Sequence, residues 1–158
     1  MKNMRINKVT FTDKTINQYS VIIDVRTPLE FKEDHIPGSL NYPVLTNKQR
    51  HEIGIKYKEN SFLAKKIGAQ LISNNIAKIL GKIKFDKNSN ILIYCWRGGL
   101  RSLSLYLVLK QIGYDSHLLD GGYKSYRKNV VKYLEETAPK FKFNQIMGIT
   151  GVGKTLFL

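Results

Sequence analysis

The stretch YCWRGGLRS, at positions 94–102, combines residue types that make a thiol reactive. Cys95 is the only cysteine in the sequence. Gly98 and Gly99 let the backbone after it curl so that successive N–H groups point inward, an arrangement that binds anions. Two arginines and the N-terminus of a following helix add positive charge. Because these features favour the thiolate, and the thiolate is the nucleophile, we predict that Cys95 is catalytic.

The loop after the cysteine is predicted to bind an anionic donor through its backbone and its arginines. Five residues separate Cys95 from Arg101, which is also the C-x5-R spacing of cysteine phosphatases that hold a tetrahedral phosphate. The loop alone therefore leaves two functions open, a chalcogen carrier and a phosphate ester hydrolase. The predicted anion-binding residues are Trp96, Arg97, Gly98, Gly99, Leu100 and Arg101.

Short apolar strands alternate with helical segments along the chain, which predicts an α/β fold with a mostly parallel sheet flanked by helices. In such sheets ligands bind at the carboxyl ends of strands, where Cys95 lies. The predicted strands cover 20–26, 40–44, 90–95, 116–122 and 143–150. The predicted helices are a short one capped by Thr27, two pieces within 60–83, and single helices over 102–113 and 126–138.

A second motif, GITGVGKT at 148–155, follows the last predicted strand and fits the phosphate-loop pattern G-x-x-x-x-G-K-[ST]. Its predicted phosphate-binding residues are Gly148, Gly151, Gly153, Lys154 and Thr155. The sequence ends three residues later, before the helix and acidic strand that such a loop uses. We therefore expect a truncated product with a vestigial phosphate loop, divided into a domain over 1–138 and a stub over 139–158.

Composition limits the possible partners. The 26 basic and 12 acidic residues give a formal net charge of +14, which favours a polyanion such as nucleic acid but also fits the codon bias of an AT-rich genome. A single cysteine excludes an internal disulfide framework and a multi-cysteine metal site, so we expect a reducing, cytoplasmic setting. No apolar run reaches the roughly 20 residues of a membrane-spanning helix.

Two further segments carry a family resemblance. DVRTPLEFKEDHIPGSLNYP (24–43) and LLDGGY (118–123) resemble elements of the rhodanese domain. Together with 50–76, 119–128 and the phosphate loop, the cysteine loop is more narrowly similar to the amino-terminal part of the bacterial tRNA 2-selenouridine synthases. The resemblance covers nearly the whole chain.

The resemblance implies an enzyme that replaces the sulfur of a wobble 2-thiouridine in tRNA by selenium, with selenophosphate as donor. It also implies geranyl transfer from geranyl diphosphate to the thiouridine. Cys95 would then carry or transfer the chalcogen, with no tightly bound cofactor and no metal. The implied partners are tRNA and a selenophosphate-producing enzyme. No association with a membrane is expected. Many sulfurtransferases have C-x4-R, so the longer loop here predicts a wider pocket suited to selenium or selenophosphate.

Other residues receive structural interpretations. Asp24 and Arg26 are expected to order the cysteine loop through an ion pair with Glu30, and Trp96 is expected to form a pocket wall. The three histidines are isolated and predict no metal site. A third possibility is an inactive remnant that binds tRNA weakly. The candidate tRNA contacts are Tyr123, Lys124, Tyr126, Arg127 and Lys128, and on a second surface Lys56, Lys58, Lys65 and Lys66.

Overall fold

A parallel sheet of five strands organises the part of the chain that the computed structural model describes, residues 6–12, 14–142, 147 and 149. The strand order is β1-β5-β4-β2-β3, and every neighbouring pair is parallel. This confirms the predicted α/β fold with flanking helices. The strands are β1 (Lys8–Val9), β2 (Val21–Asp24), β3 (Leu40–Asn41), β4 (Asn90–Tyr94) and β5 (Asp115–Leu119).

In the described part of the chain five α-helices cover both faces of the sheet; four of them lie between strands, and the fifth follows β5. They are α1 (Pro28–Glu33), α2 (Asn47–Glu59), α3 (Ser61–Leu80), α4 (Leu100–Ile112) and α5 (Gly122–Thr137), with short 3-10 turns at Ile16–Gln18 and Ala138–Lys140. None of the helices within the described ranges is long and apolar enough to cross a membrane.

Strand β4 lies at the centre of the sheet, between β5 and β2. Its residues Ile91, Leu92 and Ile93 have no solvent exposure. Burial of each such side chain contributes about 1.5–3 kcal/mol, so the strand is firmly held on both faces. Because Cys95 follows β4 directly, the position of its backbone is fixed by the core.

The helix starts follow local sequence signals. Thr27 and Glu30 form a capping box at α1, with Pro28 at the first helical position. Thr46 and Gln49 form a second capping box at α2. These boxes satisfy backbone N–H groups that otherwise have no partner in the first helical turn.

The predicted elements differ from the observed ones in several places. The segment 60–83 holds one continuous helix, α3, because its buried residues recur mainly at intervals of four. The preceding helix α2 and the two-residue strand β1 were not predicted. The strand expected over 40–44 stops at Asn41, before Pro43, and α5 begins at Gly122 rather than at 126. The buried α3 residues are Ala64, Gly68, Ile72, Ile76 and Ile79. The predicted strand at 143–150 lies outside the described residues except at 147 and 149.

Candidate active site around Cys95

The sulfur of Cys95 is surrounded by hydrogen-bond donors at the carboxyl end of β4. The residue is 3% exposed, and its Sγ accepts the backbone N–H of Gly99 at 3.2 Å. The Ser102 Oγ, which is fully buried, lies 3.2 Å from the same sulfur and 3.1 Å from the Gly99 carbonyl oxygen. Its single hydrogen can be donated to either acceptor. The geometry thus places two hydrogen-bond donors beside the sulfur.

The loop between Cys95 and α4 curls through Gly98, whose φ of +69° lies in the left-handed region. The N–H groups of Trp96, Arg97 and Gly98 have no hydrogen-bond acceptor among the described residues. Free N–H groups in a curled loop can bind an anion. The loop therefore has the backbone donors that the sequence predicted, although only the Gly99 N–H contacts the sulfur itself.

The first turn of α5 packs against the other side of this loop. The N–H of Tyr123 donates to the Cys95 carbonyl at 2.9 Å, and the N–H of Lys124 donates to the Trp96 carbonyl at 3.0 Å. Gly122 has a φ of +58°, and a Cβ there would overlap the Cys95 carbonyl oxygen and lie 2.7 Å from the Gly98 nitrogen. The close approach explains why the segment LDGGY carries glycine at this position: any side chain would push the two loops apart.

A buried ion pair between Arg26 and Asp24 lies beneath the cysteine loop. Arg26 and Asp24 are 1% and 0% exposed, and the Arg26 Nη2 lies 2.7 Å from the Asp24 Oδ2. The Arg26 Nη2 also donates to the Asp34 carbonyl at 2.6 Å. Its guanidinium carbon lies 3.9 Å from the centroid of the Tyr123 ring. The pair thus connects the end of β2 to α5 beneath the cysteine loop.

The partner expected for Glu30 was wrong. Its carboxylate binds Arg101, with an Nη1–Oε2 distance of 2.9 Å and an Nη2–Oε1 distance of 3.3 Å, and not Arg26. Burial acts to raise the pKa of Glu30, but hydrogen bonds and charge from Arg101, together with hydrogen bonds from Thr27, outweigh it and lower that pKa. The fold pairs Arg26 with Asp24 two residues away, and this leaves Glu30 to neutralise the arginine of the C-x5-R motif.

An open pocket of about 490 Å³ lies over the sulfur. Arg97 contributes an exposed guanidinium with no acid partner in the described part of the chain. Trp96 is 39% exposed and forms a wall of the pocket, with its ring 5.4 Å from that of Tyr123. Gly98 shapes the loop without lining the pocket. The lining residues are Arg50, Cys95, Trp96, Arg97, Gly99, Leu100 and Arg101.

Two of the residues at this site were not selected from the sequence. Arg50 lies on α2, and no spacing relation to Cys95 marks it, since the packing of α2 against α3 brings it to the pocket. Ser102 has a usable signal, because a small hydroxyl residue in the first turn of the helix after a reactive cysteine can donate back to the sulfur.

The predicted tRNA contacts fall into two groups. On α5, Tyr123 is 2% exposed and donates its hydroxyl hydrogen to Asp34, and Tyr126 is partly buried. These two rings pack against the rest of the fold, so the exposed side chains of this group are its basic ones. The lysines of both surfaces are exposed, and Arg127 is exposed but pairs with Asp34 at 3.1 Å. The exposed lysines are Lys56, Lys58, Lys65, Lys66, Lys124 and Lys128.

The remaining predicted residues lie away from the Cys95 pocket or outside the residues that the structure describes. His35 stacks on Phe31 with ring centroids 3.9 Å apart. Among the described residues no group of three or more His, Cys, Asp or Glu side chains could hold a metal ion. The predicted phosphate-binding residues Gly148, Gly151, Gly153, Lys154 and Thr155 lie outside the described residues.

A family model described as a rhodanese-like domain matches residues 10–129, which include the cysteine loop and the α5 turn. The chain belongs to the rhodanese-like family. Curated relatives extend the similarity. The tRNA 2-selenouridine synthase of Psychromonas ingrahamii is 36% identical over 140 residues, which cover 87% of this chain and 38% of the relative. That of Shewanella halifaxensis is 36% identical over 163 residues, covering 98% and 44%. The chain spans less than half the length of these relatives.

Solved structures of rhodanese-like proteins share the fold. The N-terminal domain of a candidate ATP/GTP binding protein from Clostridium difficile 630 is 33% identical, with a TM-score of 0.65. The match covers 79% of this chain and 99% of that domain. The reduced Bacillus anthracis CoADR-RHD matches with a TM-score of 0.54 at 22% identity, covering 80% of this chain and 17% of that protein. The second similarity shows the fold alone.

Proposed function

We propose that Cys95 accepts one sulfur or selenium atom from an anionic donor and passes it to an acceptor. The observation that carries this proposal is the environment of the sulfur. Its Sγ lies at the base of an open pocket, and the Gly99 N–H and the Ser102 hydroxyl lie 3.2 Å away. A thiolate held in this way is a nucleophile with room above it for a donor.

The proposed step is a substitution at the transferred atom. With thiosulfate, the Cys95 thiolate attacks the outer sulfur, a new S–S bond forms, and the bond in the donor breaks with its electron pair leaving on sulfite. The acceptor then attacks the outer sulfur of the persulfide and Cys95 leaves as a thiolate. Selenosulfate gives a perselenide in the same way. The sequence has no second cysteine, so a resolving thiol within it is unavailable and the acceptor comes from outside.

Two features of the pocket support an anionic donor. Among the described residues no carboxylate lines it, whereas three arginines do. The free N–H groups of the lining residues Trp96 and Arg97 add donors without adding charge. We propose that the loop also binds the phosphate group of selenophosphate, the donor that the family resemblance implies; the substitution at the transferred atom is proposed for thiosulfate and selenosulfate, from which sulfite leaves.

We further propose that the whole protein acts on tRNA in the cytoplasm. The relatives are named tRNA 2-selenouridine synthase, and the formal net charge of +14 suits a polyanionic substrate. Their names support formation of 2-selenouridine in tRNA; replacement of sulfur at a wobble 2-thiouridine is what the family resemblance implies, and we propose it for the whole protein. Geranyl diphosphate is a second proposed substrate of the whole protein, and the phosphate loop at 148–155 is its proposed diphosphate or nucleotide site.

The phosphatase alternative is less favoured by the geometry. Its arginine must turn into the loop to hold the phosphate, but Arg101 is bound by both carboxylate oxygens of Glu30. Its leaving group also needs a general acid, and no carboxyl group from the described ranges lines the pocket.

A paired assay separates the two functions. The chain is incubated with thiosulfate and cyanide, and thiocyanate is measured; in parallel it is incubated with an aryl phosphate, and phosphate release is measured. The proposal expects thiocyanate without phosphate, and loss of the thiocyanate in Cys95→Ser. Phosphate release that Cys95→Ser abolishes, or thiocyanate formation that Cys95→Ser leaves intact, would overturn it.

A further inference from the structure

Arg50 is a pocket residue that neither the cysteine motif nor the proposed transfer step uses. It is exposed on α2 and lines the pocket over Cys95 together with Arg97 and Arg101. Its side chain has no hydrogen bond or ion pair to any residue in the described ranges. An arginine that lines the pocket of a nucleophile and has no carboxylate partner is available to a ligand.

The position of Arg50 is set by contacts on either side of it along α2. The preceding residue, Gln49, accepts the Thr46 N–H at 2.9 Å and the Asn75 side-chain N–H at 2.8 Å, which ties the start of α2 to α3. One turn later the Arg50 Nη1 lies 3.6 Å from where a Cβ on Gly54 would stand. The guanidinium therefore extends along its own helix past a residue with no side chain.

The acids near the site are already paired. Glu30 holds Arg101 with two hydrogen bonds, and Glu52, on the same helix as Arg50, lies 4.0 Å from Lys48. The pocket therefore carries two unneutralised positive charges, on Arg50 and Arg97. Two such charges match a dianion better than a monoanion, since each charge on the ligand gains its own partner.

We infer that Arg50 binds the oxyanion end of the donor and selects dianionic tetrahedral donors over singly charged ones. The inference rests on the proposed transfer function of Cys95. It makes Arg50 a donor-binding residue contributed by α2, opposite the loop that carries the nucleophile. The outer sulfur or selenium then faces the Cys95 Sγ while the oxygens face Arg50, Arg97 and the free loop N–H groups.

The test compares two sulfur donors that differ in charge. Thiosulfate is a dianion, and methanethiosulfonate is a monoanion that yields the same persulfide with a sulfinate as leaving group. Persulfide formation is followed under single-turnover conditions in the parent chain, in Arg50→Ala and in Lys78→Ala. Lys78 lies on α3, is exposed and lines none of the pockets around Arg50, so its replacement removes the same charge elsewhere.

We expect Arg50→Ala to lower the second-order rate constant for thiosulfate about tenfold, the loss of one charge-assisted hydrogen bond, and that for methanethiosulfonate only about threefold. Lys78→Ala should change neither by more than about twofold, because an exposed charge outside the site is screened by salt. Alkylation of Cys95 by iodoacetamide, which is neutral, should proceed at the parent rate in both variants.

The outcomes distinguish this inference from the function it rests on. If the parent chain forms no persulfide with either donor, the transfer function fails. If the parent forms the persulfide but Arg50→Ala slows both donors equally, or slows neither, the role of Arg50 is wrong. A parallel loss of iodoacetamide alkylation would show that Arg50 only maintains the shape of the pocket, and would also contradict the inference.

Discussion

The two sides of the Cys95 pocket differ in whether their arginines are paired with an acidic side chain. On the inner side Arg26 pairs with Asp24, and Arg101 pairs with Glu30. On the outer side Arg50 and Arg97 have no acid partner within the described ranges. The inner arginines maintain the shape of the site because their charges are already neutralised, whereas the outer arginines keep their charge for a ligand. Replacing residues on the inner side should therefore alter stability, and replacing those on the outer side should alter binding.

The largest loss of stability is expected from Asp24→Ala. Removing this carboxylate leaves Arg26 buried at 1% exposure without its counter-charge. Breaking a buried pair in this way costs about 3–5 kcal/mol of unfolding free energy, measured by urea denaturation. The double variant Asp24→Leu with Arg26→Met should recover part of that loss, because neither charge remains. Glu136→Ala, which breaks an exposed pair with Lys132, should cost about 0.5 kcal/mol or less. If Asp24→Ala lowers the unfolding free energy by less than Glu136→Ala does, the Asp24–Arg26 pair does not stabilise the site.

Gly122→Ala is expected to cause the second-largest loss of stability. The new Cβ would meet the Cys95 carbonyl and the nitrogens of Gly98 and Arg97 at a φ of +58°. Overpacking of this kind costs about 1–3 kcal/mol, to which left-handed backbone strain adds about 1 kcal/mol. Gly99→Ala is the matched control, since its φ is −92° and a Cβ there meets nothing within 4 Å. Equal unfolding midpoints for the two variants would contradict the close packing of the α5 turn on the loop.

Glu30→Gln should produce a smaller, pH-dependent effect. The pKa of Glu30 is lower in the folded chain than its ordinary value of 4.5, because Arg101 and Thr27 stabilise the charged form, so folding favours the deprotonated carboxyl. Its contribution is complete above that value and is lost as the pH falls through the folded-state pKa. We expect a cost of about 1 kcal/mol at pH 7 that shrinks at acidic pH. The measurement is urea unfolding of parent and variant across that range, with Glu59→Gln as an exposed control. A pH-independent difference would argue against the Glu30–Arg101 pair.

Arg97→Ala should alter stability least. The side chain is exposed and makes no ion pair to a described residue, so the unfolding free energy should stay within about 0.5 kcal/mol of the parent. Persulfide formation from thiosulfate should nevertheless slow severalfold, because one of the two free charges is lost. If Arg97→Ala lowers the unfolding free energy as well as the rate, Arg97 maintains the shape of the site, as the inner arginines do, and the comparison is wrong.

The inner side was the more predictable from sequence, because its signals are local. The apolar runs before Asp24 and Cys95 predicted β2 and β4, and Thr27 with Glu30 predicted the capping box of α1. The glycines of the cysteine loop predicted its curled backbone. The pairing of Glu30 was wrong because its partner is 71 residues away, and only the assembled sheet brings the two together.

The outer side was less predictable because its position depends on tertiary packing. Helix α2 has few apolar residues, none of them buried, and its periodicity is weak. Its capping box at Thr46 and Gln49 was a usable signal, but which pocket the helix would line depends on its contacts with α3. Strand β1, of two residues, is likewise defined only by pairing with β5.

Mass spectrometry of the intact chain and of its tryptic peptides after brief incubation with thiosulfate is the most direct test of the central claim. The account predicts one added sulfur atom, located in the peptide 88–97 that contains Cys95 and absent from Cys95→Ser. Iodoacetamide alkylation of an untreated sample shows that the thiol is accessible. An accessible Cys95 that gains no sulfur from thiosulfate, or a sulfur adduct that persists in Cys95→Ser, would contradict the account.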